Sequence, residues 1–107
     1  MGSFEEREEG FEKRFAVDEA LSFRARARRN KLIGLWAAEL MGKTGAEAET
    51  HAKAIVAAQV EHADDESLFE ALRADLKDAG VEMSDHRIRR KMAETLAQAR
   101  DEIAAGR

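Results

Sequence analysis

Gly42-Lys43-Thr44 closes the way a phosphate-binding loop closes, with a lysine to reach a phosphoryl oxygen and a hydroxyl residue beside it. The complete motif needs a first glycine at position 37, which is Ala37, and a strand in front, where this chain has a helical pattern. Lys43 and Thr44 therefore read as a helix end followed by a helix cap. The free amides near Gly45 and Ala46 leave weak ATP or ADP binding as a minor reading. His51, His62 and His86 are never paired at the i, i+4 spacing of a zinc helix. His62 stands near Asp64, Asp65 and Glu66, but the spacing and glycine of a calcium loop are missing, and a capping turn accounts for those acids. There is no cysteine, and no Ser or Thr stands near a plausible base. The expectation is a protein that is not an enzyme, with no catalytic residues, no metal and no cofactor of its own.

Side chains suited to recognition are easier to find. Arg24, Arg26, Arg28, Arg29 and Lys31 form a basic run in a chain of net charge −4. On a helix Arg24, Arg28 and Lys31 share a face, while Arg26 and Arg29 point elsewhere, so the charge wraps the helix instead of tracking a phosphate backbone. With no aromatic interleaved, nucleic acid is not expected; a helical nucleic-acid module using Arg24 to Lys31 remains the rival, and an acidic protein surface fits the run equally. Trp36, the single indole, lies in the apolar stretch Leu32 to Ala38 and reads first as core and second as docking surface. Phe4, Phe11 and Phe15 are three of five phenylalanines, and their spacing puts them within about 20° of one helical line amid the acids Glu5, Glu6, Glu8 and Glu9. Gly10 interrupts the segment, which has too little apolar area to stay helical alone. It has the character of a helix-in-groove ligand before it meets its groove. The plainer alternative folds the three rings back over the chain's own core.

These residues need elements to hold them. The sequence has 107 residues, no proline and no cysteine, and 37% of it is charged, so it favours one small all-α domain without disulfides. No apolar run approaches the roughly 20 residues of a membrane span, and the start of the chain does not resemble a secretory signal, which points to a cytosolic protein without membrane insertion. Residues 1–19 hold seven acids against three bases, residues 20–43 one against six, and residues 44–107 fourteen against nine. An acidic leader, a basic middle and an acidic remainder follow.

Asp18 can cap a first helix over about 19–41, with Leu21, Ala25, Leu32 and Trp36 inward and Gly42 as its stop. Gly34 inside it implies a close neighbour. Thr44 to Glu47 reads as a capping box for a helix over about 46–62, buried along Ala48, Ala52, Ile55, Val56, Gln59 and Ala63. Asp64 to Glu66 start a third over about 66–79, with Leu68, Leu72, Leu76 and Ala79 inward. Ser84 caps a fourth over about 85–104, carrying Ile88, Met92, Leu96, Ala99 and Ile103. No internal repeat is visible. Short turns between four amphipathic stripes predict a compact four-helix bundle over 19–107, preceded by a flexible, conditionally helical arm over 1–18.

Ser3-Phe4-Glu5-Glu6-Arg7-Glu8, Phe11-Glu12-Lys13-Arg14-Phe15-Ala16 and Ala27-Arg28-Arg29-Asn30-Lys31-Leu32-Ile33-Gly34-Leu35-Trp36-Ala37-Ala38, with Ala79-Gly80-Val81 and the Arg87 to Met92 region, resemble the zeta subunit of the alpha-proteobacterial F-type ATP synthase over the whole chain. That resemblance implies an intrinsic inhibitor of ATP hydrolysis in which a four-helix part anchors to the catalytic head. It further implies an N-terminal arm that becomes helical as it wedges between alpha and beta subunits near the rotor gamma subunit. Carried onto this chain, Phe4, Phe11 and Phe15 would be the apolar anchors, and Arg7, Lys13 and Arg14 the ion-pairing groups. Arg24, Arg28, Arg29 and Trp36 are further candidates for partner contact. The resemblance also implies a location on the cytoplasmic face of the membrane-bound synthase and a weak affinity for nucleotide.

Overall fold

The computed structural model describes the backbone of residues 2–62 and 64–106 and, from Glu19 onward, their side chains. Four helices follow one another: α1 Gly2–Leu40, α2 Gly45–Glu61, α3 Asp65–Asp78 and α4 Asp85–Ala104. The all-α, four-helix reading stands. Three helices begin and end within about a residue of the expected positions, because Thr44, Asp64 and Ser84 occupy the N-cap positions and the turns follow directly. The first does not begin at Asp18: its backbone is helical from Gly2. Nothing in that stretch forbids it, since Gly10 weakens a helix by only about 1 kcal/mol and proline is absent.

Two of the caps close as their side chains suggest. Asp64 Oδ1 accepts from the Ser67 amide at 2.6 Å, and Ser84 Oγ accepts from the Arg87 amide at 3.2 Å. Thr44 caps by position only; its hydroxyl makes no capping bond, and the expected box with Glu47 does not form. The next residue, Gly45, has φ +54°, which swings the entry to α2 away from the geometry a reciprocal box requires. α1 and α3 end alike. The amide of Lys43 donates to the carbonyl of Ala38, and that of Val81 to Leu76, both at 2.9 Å, around the left-handed Gly42 and Gly80.

Those matched endings set α2 and α4 in the same relation to the bundle. The alternation of buried and exposed positions over residues 41–60 recurs unchanged over 81–100, pairing Ala48 with Ile88, Ala52 with Met92, Ile55 with Thr95 and Gln59 with Ala99. The repeat lies in burial and not in residue type, so it left no trace in the sequence. α1 lies between α2 and α4 and makes its broadest contacts with them. Gly34 is the point of closest approach: a Cβ there would stand 2.9 Å from the Ala52 Cα and 3.3 Å from its Cβ. The close neighbour expected at Gly34 is therefore α2.

The core is formed by Ile33, Ala37, Ile55, Leu68, Phe69, Leu72, Leu76, Ile88 and Met92. Each large side chain buried there contributes roughly 1.5–3 kcal/mol. The stripes of α2, α3 and α4 are largely as expected, with Phe69 and Thr95 added, Val56, Leu96 and Ile103 half-buried, and Ala79 exposed at the helix end; Ala63 lies outside the described residues. The stripe of α1 is different. Leu21 is exposed, Leu32 and Trp36 are half-buried, and the buried set is Ala25, Arg29, Asn30, Ile33, Gly34, Ala37 and Ala38. Neighbours on both flanks widen its buried face beyond a single stripe.

With 39 residues, α1 is about 58 Å long at 1.5 Å per residue, and the molecule measures 64 × 26 × 23 Å. Its radius of gyration is 17.3 Å, against about 13 Å for a globule of this size. α1 outreaches the bundle it belongs to.

Candidate partner-binding surface

Starting from the basic run, the described structure divides its members. Arg24, Arg26 and Lys31 are exposed. Arg28 is half-buried and approaches Glu102 of α4 at 3.6 Å. Arg29 was expected among the outward cations and is instead 3% exposed. Its Nε donates to Asn30 Oδ1 and its Nη2 to Asp65 Oδ1, each at 2.9 Å, tying α1 to the first turn of α3. A guanidinium removed from water needs such partners, and the wide buried face of α1 reaches its position. Arg29 is thus a structural ion pair and not a surface for a partner.

At the turn between α2 and α3, the Gln59 amide is best oriented with its nitrogen donating to the carbonyls of His62 at 2.9 Å and Asp64 at 3.2 Å. His51 is half-buried between α2 and α3 with Nε2 3.1 Å from Asp75 Oδ2, close enough to attract when protonated but too poorly aligned to count as a hydrogen bond. His62 and His86 are exposed and distant in sequence from it. Lys43 is half-buried and Thr44 exposed, following a helix as expected.

Sequence reasoning missed a stacked ion pair on the α3–α4 side. Arg89 lies 3.8 Å above the Phe69 ring centroid while Nη1 and Nη2 grip Glu66 at 3.1 and 3.0 Å. The hydrogen bond from Arg89 holds the Glu66 carboxyl below the usual carboxylate range, and the same bond raises the guanidinium. Both groups are solvent-exposed, so the arrangement fixes geometry more than it stabilises.

The surface of the described residues includes two clefts. The larger, about 610 Å³, runs between α1 and α2, with Phe23, Val56 and Val60 along it and Glu19 and Arg26 at its edge. Phe23 and Val60 are 76% and 79% exposed, the most open large apolar side chains described. The smaller, about 300 Å³, is bounded by Trp36 of α1, Met83, and Arg87, Arg90, Lys91 and Glu94 of α4. Trp36 packs partly against the core, and Lys91 Nζ is 5.7 Å from its ring centroid. Ile33, its neighbour, is fully buried.

Phe4, Arg7, Phe11, Lys13, Arg14 and Phe15, the expected anchors of the leader, carry side chains outside the described residues. Their backbone belongs to α1. Residues 1–102 match the family described as ATPase inhibitor subunit zeta, leader and all four helices included. This chain belongs to the zeta family. Zeta subunits are by that description inhibitors of an ATPase, which agrees with the resemblance carried by the leader and by Arg28 to Ala38. No curated protein matches this zeta chain. No helix among its described residues is long and apolar enough to cross a membrane.

Proposed function

We propose that this chain inhibits ATP hydrolysis by the F-type ATP synthase without performing chemistry, residues 1–18 acting as a helical wedge and residues 19–107 as the four-helix domain that carries it. The wedge enters a catalytic alpha/beta interface near the rotor gamma subunit, at the cytoplasmic face of the membrane-bound enzyme. Family membership over residues 1–102 carries the reading, because it includes the leader.

The helical backbone from Gly2 gives the wedge a physical rationale. At 100° per residue, positions 4, 11 and 15 fall within about 40° of positions 22, 29 and 33 on α1, the line that the bundle begins to cover at Ser22 and buries at Arg29 and Ile33. By backbone register, the leader's phenylalanine positions thus share the line that faces inward further along α1. A foreign groove can complete that burial, and Arg7, Lys13 and Arg14 can pair with acids at its rim. Ordering side chains and backbone opposes binding by on the order of 1–2 kcal/mol per residue, so a helix joined to a folded bundle is favoured over a free peptide. Trapping requires one rotational state of the head to be bound better than the others. The burial of Arg29 and the pairing of Arg28 leave no continuous basic track, which disfavours the nucleic-acid reading.

Phe11→Ala with Phe15→Ala is expected to abolish inhibition of isolated catalytic heads while moving the melting temperature of the bundle by no more than a degree or two. Full inhibition by that variant would refute the wedge.

A further inference from the structure

We infer that the cleft formed by Trp36, Met83, Arg87, Arg90 and Lys91 is a second docking site, for an acidic protein segment in which carboxylates flank an apolar side chain. The inference rests on the inhibitor reading above and places the segment on the same catalytic head.

Arg87, Arg90, Lys91 and Glu94 share one face of α4 at helical spacing, so three cations meet one carboxylate on a chain whose net charge is −4. Glu94 accepts from Arg90 Nε at 3.1 Å. The Arg87 side chain is exposed and has no ion pair among the described residues, its backbone amide alone being taken up by Ser84. Beneath the cations lie the half-buried indole of Trp36 and the half-buried Met83, both packed against the core and therefore held in place. A guanidinium beside a fixed indole is the combination that dominates protein interfaces, because the planar fork grips a carboxylate and the ring buries area at little entropic cost. Lys91 Nζ is 5.7 Å from the Trp36 ring centroid and would compete with a base stacked on that face, whereas a carboxylate can pair with it in place, so protein carboxylates suit the site better than a nucleotide.

Its position matters for the wedge. Trp36 is 21 residues beyond Phe15 on α1, about 31 Å at 1.5 Å per residue. Engagement at the cleft would present the leader at high local concentration to its groove, adding avidity without a new leader contact.

The test uses the full chain carrying Arg87→Glu and Arg90→Glu. A control with Lys53→Glu and Arg100→Glu, both exposed and neither lining the cleft, changes net charge equally. The cleft variant should need at least tenfold more protein for half-inhibition of catalytic heads, with the difference shrinking once ionic strength exceeds about 0.15 M; the control should match the unaltered chain. Equal half-inhibitory concentrations for all three, or equal losses in cleft variant and control, would overturn the site. A separate measurement follows binding to heads in the Phe11→Ala, Phe15→Ala background. Binding that persists there and falls at least tenfold on adding Arg87→Glu and Arg90→Glu supports the cleft even if the wedge is wrong. Inhibition by the unaltered chain that the Arg87→Glu and Arg90→Glu substitutions leave unchanged keeps the wedge standing and removes the cleft. Saturable chemical-shift changes at Arg87 and Lys91 on adding ATP, with head binding indifferent to the cleft variant, would reassign the cleft to nucleotide.

Discussion

Arg29 and Asp65 hold an unequal partnership, with side-chain exposures of 4% and 60%. Asp65 can be rehydrated if its partner is lost, whereas Arg29 cannot. Asp65→Ala is therefore expected to destabilise the domain by about 2–3 kcal/mol, below the roughly 3–5 kcal/mol for stranding a fully buried charge, because water already reaches one end of the pair. On a chain of this size that is a fall in melting temperature of the order of 10 °C or more. Adding Arg29→Met should recover part of it, which separates the stranded charge from any loss of helix-dipole interaction at the start of α3. A loss below about 0.5 kcal/mol on thermal denaturation of Asp65→Ala would show that Arg29 is not held by this pair.

Among the elements, the seam between α1 and α2 has the least slack. Gly34→Ala gains about 1 kcal/mol of helix propensity yet drives a methyl to 2.9 Å from the Ala52 Cα, which is backbone and cannot rotate aside. Overpacking of this kind costs about 1–3 kcal/mol, so a net loss on the order of 1 kcal/mol is expected in denaturant titration. A Gly34→Ala protein as stable as the parent would mean that the helices separate at no cost. Helices α2, α3 and α4 were legible in the sequence because each carries both a capping residue and a single apolar stripe. The start of α1 was not: Asp18 has the chemistry of a cap, but a chain without proline can carry a helix straight through one. Its buried face was misjudged for a related reason, since a helix flanked on both sides buries Arg29 and Asn30 along with Ile33. The cleft at Trp36 could not be read locally, because Arg87, Arg90 and Lys91 come from a helix that only folding brings beside it.

At the scale of the molecule, one 39-residue helix joins the leader to the bundle, so the two are coupled in angle as well as in distance. Inserting two alanines between Asp18 and Glu19 would turn the leader by about 200° relative to the bundle and advance it by about 3 Å. If the wedge acts while joined rigidly to an anchored domain, that variant should lose at least tenfold in inhibitory potency with an unchanged melting temperature. Undiminished potency would show that the leader works as a tethered peptide, indifferent to register. The charge division acts at the same scale, giving an acidic remainder that leaves the basic cleft on α4 as a local exception.

The lone tryptophan has a spectroscopic corollary. With no tyrosine anywhere in the chain, near-ultraviolet emission comes almost wholly from a half-buried indole whose ring centroid lies 5.7 Å from Lys91 Nζ. Any ligand settling there must alter the colour or the quenching of that emission, so the unlabelled protein reports on its own occupancy.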